Sequence, residues 1–137
     1  MVLKDCLNLS WVHPSIVVLK KLTFRSLKGC INLKSLPNKF GMESLETLIL
    51  SGCSKILKIP KFGENMQCVL KLYLDGTTIK EIPSSIGLLK NLKVLSFDGC
   101  KGLSSFKSHL AMISSLLIQC QKVHILWDCP LYWVCVL

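Results

Sequence analysis

MESLETLILSGCSKILKIP, residues 42–60, decides the fold. Its apolar residues stand at Leu45, Leu48 and Leu50, followed by Cys53, Ile56, Ile59 and Pro60. Leu48 and Leu50 alternate with Thr47, Ile49 and Ser51, the spacing of a strand with one face buried. Cys53 and the apolar residues after it mark a turn and an inward-facing return path. The pattern recurs in both directions. With Cys53 as marker, the equivalent positions are Cys6, Cys30, Thr77 and Cys100, at steps of 24, 23, 24 and 23 residues. Leu22 and Leu27 precede Cys30; Val69, Leu72 and Leu74 precede Thr77; Leu92, Leu95 and Phe97 precede Cys100. Pro14, Pro37, Pro60 and Pro83 follow the first four markers, and the proline is missing after Cys100.

A repeated L-x-x-L-x-L-x-x-C unit of this period is the signature of leucine-rich repeats. The expected fold is therefore an α/β solenoid. Short parallel strands line its concave face, and irregular or short-helical segments return the chain. Residues 1–107 carry four to five repeats, the first of them truncated, because only Met1 and Val2 precede Leu3. Residues 108–137 keep no repeat spacing and read as a degenerate or non-homologous tail that could serve as an improvised cap. The second unit holds one misfit. Arg25 occupies the position of Leu48, Leu72 and Leu95, so the strand is expected to shift, Phe24 to rotate inward, or the unit to be damaged. Burying an unpaired guanidinium costs roughly several kcal/mol even after relaxation.

Composition sets further bounds. The chain has 137 residues, 50% hydrophobic and 18% charged, which suits one packed domain and argues against disorder. No apolar run approaches the ~18 residues of a membrane span. Asp5 and Asn8 stand where a signal peptide needs its apolar centre. A cytoplasmic location, with the nucleus as a second compartment, is the expectation. Four of the eight cysteines share one repeat position, where Thr77 also fits. They read as reduced, packed thiols rather than a disulfide framework. The net charge of +9 is spread along the repeats, as at Lys34, Lys55, Lys58, Lys71 and Lys93, without a basic cluster interleaved with aromatics. A solvated face is the expected meaning, and no nucleic-acid groove or membrane contact is predicted.

Signs of catalysis are sparse. His13, His109 and His124 have no carboxylate at useful spacing, and no glycine-framed nucleophile or phosphate-cradling loop occurs. Cys120, His124, Cys129 and Cys135 are soft ligands, but their gaps contain no paired C-x-x-C knuckle. No enzyme activity, cofactor or metal is expected.

The surface carries more information. If the leucines of each strand point inward, the residues between them line the concave face. The predicted protein-binding ladder is Lys28; Thr47, Ile49 and Ser51; Lys71, Tyr73 and Asp75; and Val94, Ser96 and Asp98, with Phe24 and Ser26 beside Lys28. Concave faces are where solenoids usually bind.

The wording of the repeats is also recognisable. LSGCSK (residues 50–55), LDGTTIKEIPSSI (residues 74–86) and LKNLK (residues 89–93) resemble the leucine-rich repeats of plant intracellular disease-resistance receptors. The likeness is to the class with an N-terminal Toll/interleukin-receptor domain and a central nucleotide-binding ATPase, and it runs from Val2 to about Ser105. It implies a sensor region that recognises a pathogen effector or a guarded host protein and restrains the nucleotide-binding module. The alternative it implies is a truncated regulatory product that binds the nucleotide-binding domain of the parent receptor. The chain carries no Toll-like segment or nucleotide-binding loop of its own, so binding rather than signalling is the expected role.

Overall fold

The computed structural model describes residues 1–102 and the backbone of residues 122–124. Five parallel strands form one sheet: β1 (Phe24–Ser26), β3 (Thr47–Ile49), β5 (Lys71–Tyr73), β6 (Val94–Ser96) and β7 (Lys122–His124), in that spatial order. Two short strands on the return path, β2 (Lys39–Phe40) and β4 (Lys61–Phe62), pair in a second parallel sheet. Each turn of chain places one strand beside the last, so the molecule is the expected leucine-rich repeat solenoid.

The register is the repeat itself. Arg25, Leu48 and Leu72 are successive partners, followed by Leu95 and Val123. The strand at Val123 extends the sheet beyond the last marker, Cys100. The rest of the segment after Gly102 lies outside the described residues, and with it the reading of 108–137 as a tail or cap.

Leu45, Leu48 and Leu50, their counterparts Val69, Leu72 and Leu74, and Leu92, Leu95 and Phe97 are all buried. Phe40, Met42, Phe62 and Met66 close the core from the return side. The prolines open two short 3₁₀ helices, Pro14–Val18 and Ser84–Leu88. The second helix is tied to the neighbouring coil, where the amide of Phe62 donates to Ser85 Oγ at 2.9 Å.

Two columns running across the coils explain the marker dipeptide. The thiols of Cys30, Cys53 and Cys100 donate to the carbonyls of Leu3, Leu27 and Leu74 at 2.9, 3.0 and 3.0 Å, each reaching back one coil. Thr77, at the same position, turns its hydroxyl to Leu74 O of its own coil at 2.8 Å. Just before the marker, Gly29, Gly52, Gly76 and Gly99 all have positive φ, between 63° and 77°. Their stacking leaves a Cβ on Gly52 only 3.4 Å from the backbone of Gly29. The column breaks at Asp5, which adopts φ 54° without being glycine.

At Arg25 none of the three expected adjustments occurs. The strand keeps its register, with Arg25 opposite Leu48, and Phe24 remains 39% exposed. Arg25 is 0% exposed, its guanidinium carbon lying 5.3 Å from the centre of the Phe40 ring. Its Nε, Nη1 and Nη2 are buried without hydrogen-bond partners. Pairing along both sides of the strand fixes the backbone, so the side chain follows it into the core.

Candidate functional site

The strands carry three rows of side chains on the face opposite the leucines. Phe24, Thr47, Lys71 and Val94 form one; Ser26, Ile49, Tyr73 and Ser96 the next. Lys28, Ser51, Asp75 and Asp98 occupy the turn positions just past the strands. Neighbouring rungs lie about 4.8 Å apart, the spacing of hydrogen-bonded strands. All ten sequence-predicted residues stand in these rows.

Their freedom to bind differs. The carboxylate of Asp75 is engaged within the molecule: Ser51 Oγ donates to Oδ2 at 3.0 Å, Ser96 Oγ donates to Oδ1, and the amide of Asp98 donates to Oδ1 at 2.9 Å. Asp75 thus ties together three coils and holds two of the predicted serines. Ser26 and Ser96 are buried beside their larger neighbours Ile49 and Tyr73. By contrast, Lys28, Lys71 and Asp98 are exposed, and Thr47, Ile49, Tyr73 and Val94 are half-buried. The ladder therefore splits into a bracing part around Asp75 and a contact part centred on Lys71 and Tyr73. An exposed cation beside an aromatic ring and aliphatic neighbours suits recognition of a protein surface, since such groups combine buried apolar area with a directional charge.

Other candidates have local roles. His13 accepts from the amide of Ser15 at 3.1 Å and sits 2.7 Å from Ser15 Oγ, so it caps the first 3₁₀ helix. Among the described residues, no group of three or more His, Cys, Asp or Glu could hold a metal ion. The side chains of Cys120, His124, Cys129 and Cys135 lie outside the described residues, as does that of His109. Burial raises the thiols of Cys30 and Cys100, and pushes Cys53 up to about 11, with the neighbouring Cys30 adding to the effect. These thiols stay protonated at neutral pH, as donors to carbonyls must.

Sequence reasoning missed the pairing of Arg25 with Phe40. The signal was the misfit itself, but Phe40 lies on the return path, where no pairing rule applies.

No family model matches the chain. Among curated proteins, it is 37% identical over 106 residues to the Arabidopsis thaliana disease resistance protein RPP2A, and 40% identical over 101 residues to the disease resistance-like protein CSA1. It is also 37% identical over 91 residues to the disease resistance protein RPS4B of the same plant. These matches cover 77%, 74% and 66% of the chain but only 8% of each relative.

Proposed function

The chain belongs to the plant disease resistance proteins, and on that premise we propose that it is a protein-recognition surface from the sensor region of a receptor with a Toll/interleukin-receptor domain. Its role is binding in the defense response, without catalysis. The partner is a pathogen effector or a guarded host protein, met in the cytoplasm or the nucleus. The observation that carries this reading is the contact part of the concave face. Lys71 and Tyr73, with Thr47 and Ile49 beside them, are presented by two paired strands and are not consumed by internal hydrogen bonds among the described residues.

The test is capture from infected plant extract by the immobilised chain, compared with Lys71→Glu, Tyr73→Ala and the return-path control Lys61→Glu. The wild type and the control should retain the same protein, and the two concave variants should lose it. Equal retention by all four would overturn the reading. Asp75 is a poor probe, because replacing it releases Ser51 and Ser96 and disturbs the ties between three coils.

A further inference from the structure

A second surface lies on the flank of the solenoid, along the segments that leave each marker. The fold asks little of the exposed positions there. One residue after the marker, coils three and four carry Ser54 and Thr78, yet coils one and two carry Leu7 and Ile31. At the position where Trp11 pairs with Ser35, and Lys58 with Glu81, the side chain ranges from indole to carboxylate. Polar residues satisfy these positions, so the apolar ones are not required for packing.

The apolar residues are nevertheless open to solvent. Trp11 is 57% exposed, Leu57 48% and Ile31 44%. Ile31 and Leu57 have a coil on either side and are still uncovered. Trp11 is tilted against the His13 ring, with centroids 5.6 Å apart, which limits its rotamers.

Charge on this flank is mostly positive. Lys34, Lys58 and Lys80 are exposed, and among the described residues none of them is in an ion pair. The amide of Lys34 donates to Ser10 O, next to Trp11 in the chain, and that of Lys80 to Leu57 O, which places each lysine one coil along from an exposed apolar segment. Glu81 is the one acid of these segments in the first four coils. The glutamates Glu43, Glu46 and Glu64 lie on the opposite flank, where Glu43 meets Lys20 at 3.8 Å.

We propose that this flank, with Trp11, Ile31 and Leu57 set among Lys34, Lys58 and Lys80, is a docking surface for an acidic, apolar peptide segment of a partner protein. Exposed aromatic and aliphatic side chains supply the apolar area of such a contact, and the unpaired lysines select negative charge. The surface is separate from the concave rows and acts independently of them.

A fluorescein-labelled peptide of glutamate, leucine and phenylalanine is titrated into the full chain and followed by anisotropy. A lysine-for-glutamate version of the peptide, a twenty-nucleotide thymidine oligomer and phosphatidylserine vesicles are run in parallel. The acidic peptide should bind, and Trp11→Ser with Leu57→Ser, or Lys34→Glu with Lys58→Glu, should weaken it at least about tenfold, the loss of ~1.4 kcal/mol of contact. Lys39→Glu with Lys61→Glu makes the same charge change on the return path and should weaken it less than threefold; Tyr73→Ala should leave it unchanged. Circular dichroism confirms the fold of each variant, and the serine replacements copy residues the other coils already carry. Equal weakening by the return-path pair would reduce the binding to bulk charge and overturn the proposal. So would capture of the oligomer or vesicles through these lysines without the peptide.

Discussion

Strands β1 and β5 are members of one parallel sheet, have the same length and turn the same position inward. Yet β1 buries Arg25 and β5 buries Leu72. The backbone makes no distinction between them. In a solenoid each rung is fixed by its neighbours, so a misfit side chain is carried into the core rather than expelled by a shift in register. The penalty falls on the side chain. Three guanidinium nitrogens lose water without gaining acceptors, and the Phe40 ring returns only part of that, about 2 kcal/mol for a desolvated cation over an aromatic face. Burial accordingly lowers the Arg25 pKa to about 10.

The sharpest way to break this comparison is to make the two rungs alike in the wrong direction. Leu72→Arg puts a second unpaired cation in the middle of the stack, where no Phe40 equivalent is assigned to it. A loss of roughly 3–5 kcal/mol is expected, seen as collapse of the urea midpoint. Tolerance equal to that at Arg25 would mean the core is softer than its packing suggests.

The converse, Arg25→Leu, should raise the urea midpoint at unchanged slope, by about 1–3 kcal/mol, because the desolvation penalty disappears and the rung matches its neighbours. A lower midpoint would show that the cation stabilises the stack. The same pair of proteins gives a pH test. Below pH 10 Arg25 is charged in both states and the penalty is complete. In the window above about 10 the folded state releases the proton while the unfolded state, with the ordinary guanidinium pKa, retains it. The unfolded state then binds more protons, so stability rises with pH. Compared at each pH to cancel other titrations, the advantage of Arg25→Leu should therefore shrink through that window.

A smaller effect isolates the ring. Phe40→Leu should cost more when Arg25 is present than in the Arg25→Leu background, with a coupling of about 1 kcal/mol in a double-mutant cycle. No coupling would mean that Phe40 only fills space.

The least effect belongs to the glycine column. Asp5→Gly should gain about 0.5–1 kcal/mol by relieving a left-handed conformation that the other coils reserve for glycine. A loss would show that its carboxylate stabilises the turn, as Asp is among the residues that tolerate this region.

Much of this architecture was legible in residues 42–60. The inward positions of Leu48 and Leu50, the inward thiol at Cys53 and the outward set Thr47, Ile49 and Ser51 all follow from alternation and period. The ten ladder residues were placed in their rows by the same reasoning. Their division of labour was not legible, because Asp75 looks like any exposed carboxylate until Ser51 and Ser96 are found on either side. The flank was not legible either. Lys34, Lys58 and Lys80 appear in the sequence as evenly spread charge, and only stacking gathers them around Trp11 and Leu57.

By itself the sequence determined the repeat, its register and the inward and outward faces of each strand, since those depend on spacings within about one coil. The tertiary structure decided which outward groups remain available, that Arg25 enters the core against Phe40, and which flank sets lysines near the exposed Trp11 and Leu57. Each of those depends on side chains some 15 to 25 residues apart meeting across the core or across coils, and spacing along one strand carries no information about such meetings.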